Sequence, residues 1–215
     1  MKLQTLSIYI LLLSTFCTSY SQERDADGGT LKISNKAKGE NLYDVAKQMF
    51  ININNKDVDA IVNMNHPKIF ESIDKAQLKT QLKTEFEGNN LLTIEYPNRI
   101  PDFKVSEISK LDYKDVEYAF VSYEMQAKIN FKQKLDKLTQ KSMKELMSSK
   151  GMDVKFTSKN SMSVMMKDKI TILLKDKLTG NSCKMIDFNK DLPYLTKVVL
   201  KEVLDAAERY KQELN

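Results

Sequence analysis

The chain has 215 residues and a net charge of +5, with 34 basic and 29 acidic side chains interspersed along its length. Because the basic residues do not cluster, the sequence does not indicate a nucleic-acid-binding surface. It contains two cysteines and one histidine, which excludes a disulfide framework of several bridges and a metal site built from several histidines.

The first 21 residues have the pattern of an export signal peptide. Lys2 precedes a short apolar core at positions 6–13, which is well below the about 20 apolar residues that span a bilayer. Ser19 and Ser21 form a small-x-small site that places cleavage before Gln22. Phe16 is too large for the residue before a lipid-modified cysteine, which disfavours an anchor at Cys17. We therefore expect an exported protein, periplasmic or extracellular, whose mature chain has no transmembrane segment.

The mature chain is predicted to be one domain behind a flexible leader. Residues 22–38 are polar and glycine-containing, so they lack the apolar surface needed to order themselves. Residues 39–215 are long enough to bury a core without crosslinks. Only Cys183 remains after cleavage, and we interpret it as a small apolar core residue.

The first part of this domain is predicted to be helical. Apolar residues recur at helical spacing from residue 40 to residue 50, and Asp57 is a suitable cap for a second helix. His66 precedes Pro67, so it is expected to end that helix. A third helix is predicted over residues 67–87, interrupted near 72–74, and Gly88 is expected to stop it.

The middle of the chain changes to the alternation of β-strands. Strands are predicted over residues 91–96 and 103–113, with a turn at residues 114–115. In the next segment, apolar and polar side chains alternate. The seven apolar ones have the same strand parity: Ala119, Val121, Tyr123, Met125, Ala127, Ile129 and Phe131. This pattern predicts a strand of an antiparallel sheet that is packed on one face only.

The last part mixes a helix, three strands and a terminal helix. The helix is predicted over residues 135–150, with Leu138 and Leu146 among its apolar positions, and strands over 154–156, 162–174 and 184–188. The even positions of residues 162–174 are apolar except Asp168. A hairpin turn is expected at 178–181, and Pro193 opens a helix that runs past residue 207. The class is therefore α+β, with N-terminal helices packed on a curved, mostly antiparallel sheet, a helical insertion and a C-terminal helix.

Two segments carry a resemblance to a known superfamily. The helical pair at residues 45–67 and the ending at 177–188 resemble the nuclear transport factor two-like proteins, which include ketosteroid isomerases and polyketide cyclases. Cys183 and Met185 stand where exported relatives have aromatic residues, and the helix at 135–150 is an addition. The resemblance implies a conical cavity between helices and sheet, lined by the apolar face of residues 119–131. It implies little about activity, because one fold serves many functions.

Within such a cavity we expect a ligand pocket near the middle of the long strand. Tyr123 and Met125 are its expected centre, and Tyr96 and Asp187 lie on neighbouring strands. An isomerase-type site needs a carboxylate and hydrogen-bond donors in an apolar pocket, for which Glu95 is a further candidate. Their spacing does not distinguish this chemistry from tyrosines in the core and carboxylates at the surface.

Two other patterns favour structural roles. The single histidine, His66, is interpreted as a polar helix end rather than a general base. Met162, Met165 and Met166 resemble a thioether cluster for copper(I), but Met165 has the opposite strand parity from the other two. We interpret them as core filling and predict no metal and no cofactor.

The leading hypothesis is an exported non-enzymatic domain that binds a small apolar ligand or a partner protein in or around the cavity. The first alternative is an isomerase- or hydrolase-type enzyme that uses the carboxylate and tyrosine pocket. It requires a carboxylate or His66 inside the cavity, desolvated and facing another polar group. The second alternative is a structural module that forms a homodimer through the outer face of the sheet.

Overall fold

A computed structural model describes residues 41–192 and 194–214. Six α-helices and seven β-strands lie within these ranges, so the α+β class is confirmed. The helices are α1 (Leu42–Asn54), α2 (Val58–Met64), α3 (Lys75–Glu87), α4 (Lys137–Ser148), α5 (Leu195–Val198) and α6 (Lys201–Glu213). The strands are β1 (Leu92–Glu95), β2 (Phe103–Val105), β3 (Ser109–Leu111), β4 (Val116–Phe131), β5 (Met152–Ser158), β6 (Ser161–Lys175) and β7 (Lys184–Asp187). The signal peptide, Cys17, the leader and Pro193 lie outside the described residues.

The first four helices begin at side-chain caps, of which the sequence analysis predicted the one at Asp57. Asn41, Asp57, Asp74 and Asp136 each accept a hydrogen bond from a backbone N–H of the following turn, at 2.7–3.1 Å. The predicted interruption before α3 is present as a short 3₁₀ helix, Pro67–Glu71. Gly88 ends α3 with φ of +81°, a conformation that favours glycine.

The sheet is antiparallel and, over the described residues, does not close into a barrel. Its order is β1-β4-β6-β5, while β2 and β3 also pair with β4 and β7 pairs with β6. The prediction of one strand over residues 103–113 was wrong. The register changes by one residue between Val105 and Ser109, and the Ser106 hydroxyl accepts the N–H of Phe120 in place of a ladder bond.

The predicted apolar face of β4 is buried. Six of its seven side chains are at most 7 % exposed, and the seventh, Met125, is half-buried. At residues 119–123 this face packs against α1, and at residues 127–131 it packs against Met143 and Met147 of α4. We call it the inner face of the sheet. Leu138 and Leu146 of α4 are exposed, contrary to their predicted inward position, because only one side of α4 meets the sheet.

The prediction that only one face of the sheet is packed was wrong for one half of β4. Phe120 and Ser122 lie on the outer face and are buried by α6, where Tyr210 stacks on Phe120 at 5.2 Å between ring centroids. The Tyr210 hydroxyl also lies 3.1 Å from the Ser122 hydroxyl. The predicted single terminal helix is divided, because Val199 and Leu200 are extended and separate α5 from α6.

A bulge in β6 turns its apolar residues to two different faces. Tyr123 is opposite Lys169 and Met125 is opposite Met166, so β6 has one extra residue between these pairs. Asp168, within the bulge, has φ of +50°. Residues 162, 164 and 166 therefore pack on the inner face, and residues 170, 172 and 174 pack on the outer face. The prediction of one continuous apolar face over residues 162–174 was wrong.

Candidate functional site

An internal cavity lies between helices α1–α3 and the inner face of the sheet. Its volume is about 180 Å³, and most of the surface that lines it is apolar. Side chains of α1, α2 and α3 form one wall, and side chains of β1, β4, β6 and β7 form the other. Tyr194 and Leu192, which precede α5, also line it.

The four residues predicted to form a ligand pocket all line this cavity. Tyr96, Tyr123, Met125 and Asp187 come together from β4, β7 and the end of β1. The fifth candidate, Glu95, is exposed on the other face, where its carboxylate accepts a hydrogen bond of 2.7 Å from Asn130. Neighbouring residues of a strand point to opposite faces, so Tyr96 and Glu95 could not both face the cavity. Ligand binding by these residues stays a prediction.

Glu85 is a cavity residue that the sequence analysis missed. It projects from α3, and its carboxylate accepts a hydrogen bond from the Tyr96 hydroxyl. Burial raises the pKa of Glu85 to about 7, and the hydrogen bond from Tyr96 and the positive charge of Lys169 only partly oppose this rise. The signal was present in the sequence, because Leu78, Leu82, Glu85 and Phe86 form one helical stripe with a carboxylate among apolar residues.

Lys169 is the second missed residue, and it forms a buried ion pair. Its ammonium lies 3.4 Å from Oδ1 of Asp187, and the lysine is only 6 % exposed. Burial raises the pKa of Asp187, although the charge and hydrogen bond of Lys169 favour the ionised form. Oδ2 of Asp187 is buried and has no hydrogen-bond partner among the described residues. In a regular strand with its even positions inward, Lys169 would lie on the outer face. The bulge at Asp168 brings it to the inner face instead.

Tyrosine and threonine hydroxyls complete the polar lining. The hydroxyl of Tyr123 lies 3.4 Å from the hydroxyl of Thr171. Thr171 is on β6, directly opposite Asp187 of β7. Burial raises the pKa of Tyr194 to about 12, with the Asp187 charge as a further cause. Tyr194 therefore stays protonated at neutral pH and keeps its hydrogen for donation. The cavity thus combines an apolar wall with desolvated carboxyl groups, an ammonium and neutral hydroxyls.

A second hollow of about 260 Å³ adjoins the cavity. Ile53, Tyr96 and Met125 line both spaces, and the loop at residues 97–102 forms the outer wall of the second. Its lining is more polar and includes Arg99 and Glu124. Tyr96 therefore stands at the boundary between a mostly apolar interior and a polar outer hollow.

His66 does not line the cavity, and its role in the fold is structural. Its Nδ1 accepts the backbone N–H of Lys68 at 3.3 Å, and its Nε2 lies 3.2 Å from Asp176. It is fully buried, and its backbone N–H donates to the Met185 carbonyl. Burial lowers the pKa of His66 despite the nearby Asp176. The residue thus caps the start of the 3₁₀ helix and joins it to the turn between β6 and β7, whereas the sequence placed it at the end of α2, which stops at Met64.

The methionine cluster also has the predicted arrangement. Met162 and Met166 are buried on the inner face, while Met165 pairs with Gln126 on the outer face. Cys183 is half-buried at the edge of the cluster around α1. Within residues 41–192 and 194–214, no three side chains of histidine, cysteine, aspartate or glutamate gather in a way that suits a metal ion. In the same ranges, no helix combines the length and apolar character needed to cross a membrane.

Comparisons with protein-family models, with curated proteins and with solved structures found no match for this chain.

Proposed function

We propose that this chain is a non-enzymatic binding protein that holds a small, mostly apolar molecule in the cavity between α1–α3 and the sheet. The observation that carries the proposal is the combination of an apolar wall with a few buried polar groups, which is the usual composition of a small-molecule site. Glu85, Lys169 and Asp187 are costly to bury. A ligand that meets their hydrogen-bonding needs would offset part of this cost.

The volume limits the size of the ligand. An engineered apolar protein cavity of about 150 Å³ binds benzene, and the cavity here is about 180 Å³. A single ring with a short substituent matches this volume.

Native mass spectrometry tests the proposal. The purified mature chain is incubated with a panel of single-ring alcohols, phenols, amines and ketones, and retained molecules are identified after buffer exchange. We expect one-to-one complexes with some members of the panel. If no molecule is retained, and none raises the thermal midpoint of unfolding, the proposal is overturned.

A matched pair of variants locates the binding. Leu78→Trp places a larger side chain at a half-buried position in the cavity wall, and should abolish retention. Leu138→Trp makes the same change at a position of α4 that is 76 % exposed, and should leave retention unchanged. Equal retention by both variants would place the ligand elsewhere and contradict the proposal.

The enzyme hypothesis is a second candidate, favoured by one observation. Glu85 is a desolvated carboxyl group with a pKa of about 7 that faces the Tyr96 hydroxyl, and a general acid or base works best with its pKa near the working pH. Cyclohex-3-enone and p-nitrophenyl acetate are small enough to test isomerase and hydrolase chemistry. Turnover by the native chain that is lost in Glu85→Gln, and rises with pH through 7, would favour the enzyme.

We also propose that the protein works outside the inner membrane, because its first 21 residues follow the export pattern. Mass spectrometry of the mature N-terminus tests this, with Gln22 as the expected first residue. Likeness to the nuclear transport factor two-like cone remains part of the proposal, supported by helices that cover an antiparallel sheet and a cavity between them. The alternative of a homodimer through the outer face is tested by light scattering on the mature chain.

A further inference from the structure

The acidic side chains around the cavity outnumber the basic ones. Among the described residues that line it, the acids are Glu85 and Asp187 and the only base is Lys169. Asp187 has the base as its partner at 3.4 Å. Glu85 has no ion pair within the described ranges, and its hydrogen bond comes from the neutral Tyr96 hydroxyl. The cavity therefore contains one more acid than base, and the excess lies at Glu85.

From this imbalance, which matters only if the cavity binds a small molecule as proposed above, we infer the chemical class of the ligand. We propose that the ligand is a small apolar molecule with a protonated amine, and that the amine pairs with the Glu85 carboxylate. A cation supplies the missing positive charge, so that the site then has two acids and two cations. An anionic ligand would add a third negative charge, and a neutral ligand would leave Glu85 without a cationic partner.

The surroundings of Glu85 suit an ammonium group. Tyr96 donates its hydroxyl to the carboxylate and leaves further acceptor capacity on it, because a carboxylate has about four lone-pair sites. The Tyr96 ring lies 6.4 Å from the Phe86 ring, at an interplanar angle of 78°. Aromatic faces attract ammonium groups, more strongly where water is excluded. The apolar wall takes up the rest of the molecule.

Pairing with an amine has a proton signature. Without a cation, Glu85 takes up a proton with a pKa of about 7, so near pH 7 about half of the molecules hold one. The other ionisable groups around the cavity are Tyr96, Tyr123, Tyr194, Lys169 and Asp187. Binding of an amine favours the carboxylate and expels the Glu85 proton. We expect about half a proton released per amine bound at pH 7, more at pH 6 and less at pH 8.

Isothermal titration calorimetry with matched probes tests the inference. Benzylamine, benzyl alcohol, toluene and benzoate share one ring and differ in charge and hydrogen bonding. We expect benzylamine to bind the native chain about tenfold or more tighter than benzyl alcohol, and benzoate to bind weakest. Titrations in buffers of different ionisation enthalpy give the number of protons released.

Two variants separate the role of Glu85 from general effects. Glu85→Gln should lose about tenfold or more in benzylamine affinity and all proton release, and keep its affinity for benzyl alcohol. Glu87→Gln changes an exposed carboxylate on the same helix, and should behave as the native chain.

The outcomes are distinguishable. If toluene or benzyl alcohol binds the native chain as tightly as benzylamine, or if no proton is released, the amine inference is overturned and the binding function survives. If none of the four probes binds, and the wider panel is not retained either, the proposed function fails together with the inference.

Discussion

The ionisation of Glu85 should make the folded protein less stable as the pH rises. The pKa of this carboxyl is raised from its ordinary value of 4.5 to about 7 by burial in the cavity wall. Between these two values the folded protein holds a proton that the unfolded chain has lost. The free energy of unfolding therefore falls with increasing pH across this window and levels off above pH 7.

The magnitude follows from the size of the shift. One pKa unit corresponds to about 1.4 kcal/mol, so the Glu85 shift corresponds to about 3 kcal/mol of lost stability between pH 4.5 and a pH above 7. This is a large part of the total, since a domain is typically stable by about 5–15 kcal/mol. Glu85→Gln has a neutral side chain of the same shape, and its amide oxygen can still accept the Tyr96 hydroxyl.

Urea unfolding of the native chain and Glu85→Gln at a series of pH values from 5 to 9 measures the effect. The difference in free energy of unfolding between the two proteins removes the contribution of all other titrating groups. We expect Glu85→Gln to gain about 2.5 kcal/mol relative to the native chain from pH 5 to pH 8. Glu87→Gln, at an exposed position of α3, controls for loss of a carboxylate from this helix. A difference that stays flat from pH 5 to 9 would refute the reasoning.

Three further predictions concern stability and are checked by urea unfolding. Lys169→Met leaves Asp187 buried without its cation and should lower the free energy of unfolding by about 3–5 kcal/mol. Adding Asp187→Leu should restore most of this loss, and no recovery in the double variant would contradict a pairwise interaction. Gly88→Ala should lower the free energy of unfolding by at least about 1 kcal/mol more than Gly180→Ala does. Both glycines have positive φ, but of the two only Gly88 would bring a Cβ against other atoms, the nearest at 2.6 Å. Equal losses in the two variants would exclude the steric argument. Burial lowers the pKa of His66 below its ordinary value of 6.5, so the contribution of His66 to the free energy of unfolding is present above pH 6.5 and is lost as the pH falls. His66→Asn should remove this loss. If the stability of the variant falls with acid as steeply as that of the native chain, other groups cause the loss.

The polar residues that line this cavity distinguish it from a packing defect. An empty space of this size in an apolar core would lose contact energy, and most protein interiors avoid such voids. Here Lys169, Asp187 and Glu85 are drawn from three different elements to one space. Each of them is unfavourable to bury, so their convergence is the main support for the proposed binding role.

The sequence by itself determined the order of most helices and strands and the apolar face of the central strand. The cap at Asp57, the stop at Gly88 and the alternation of residues 119–131 depend on interactions within a few residues, so they can be read locally. Tyr123 and Met125 were also placed in the cavity from sequence, because parity along a regular strand fixes which face a side chain occupies. Tyr96 and Asp187 were named only as polar residues on strands, together with Glu95, which lies outside the cavity.

Only the tertiary structure decided that Lys169 enters the cavity and that Glu85 is desolvated there. The extra residue at Asp168 reverses the parity of β6, and neither its position nor its effect on Lys169 follows from composition or period. Burial of the outer face by α6 depends on contacts between residues about 90 positions apart, such as Ser122 and Tyr210. The pKa of Glu85 is likewise a property of the assembled wall, because desolvation depends on every element around a carboxyl group and on none of them alone.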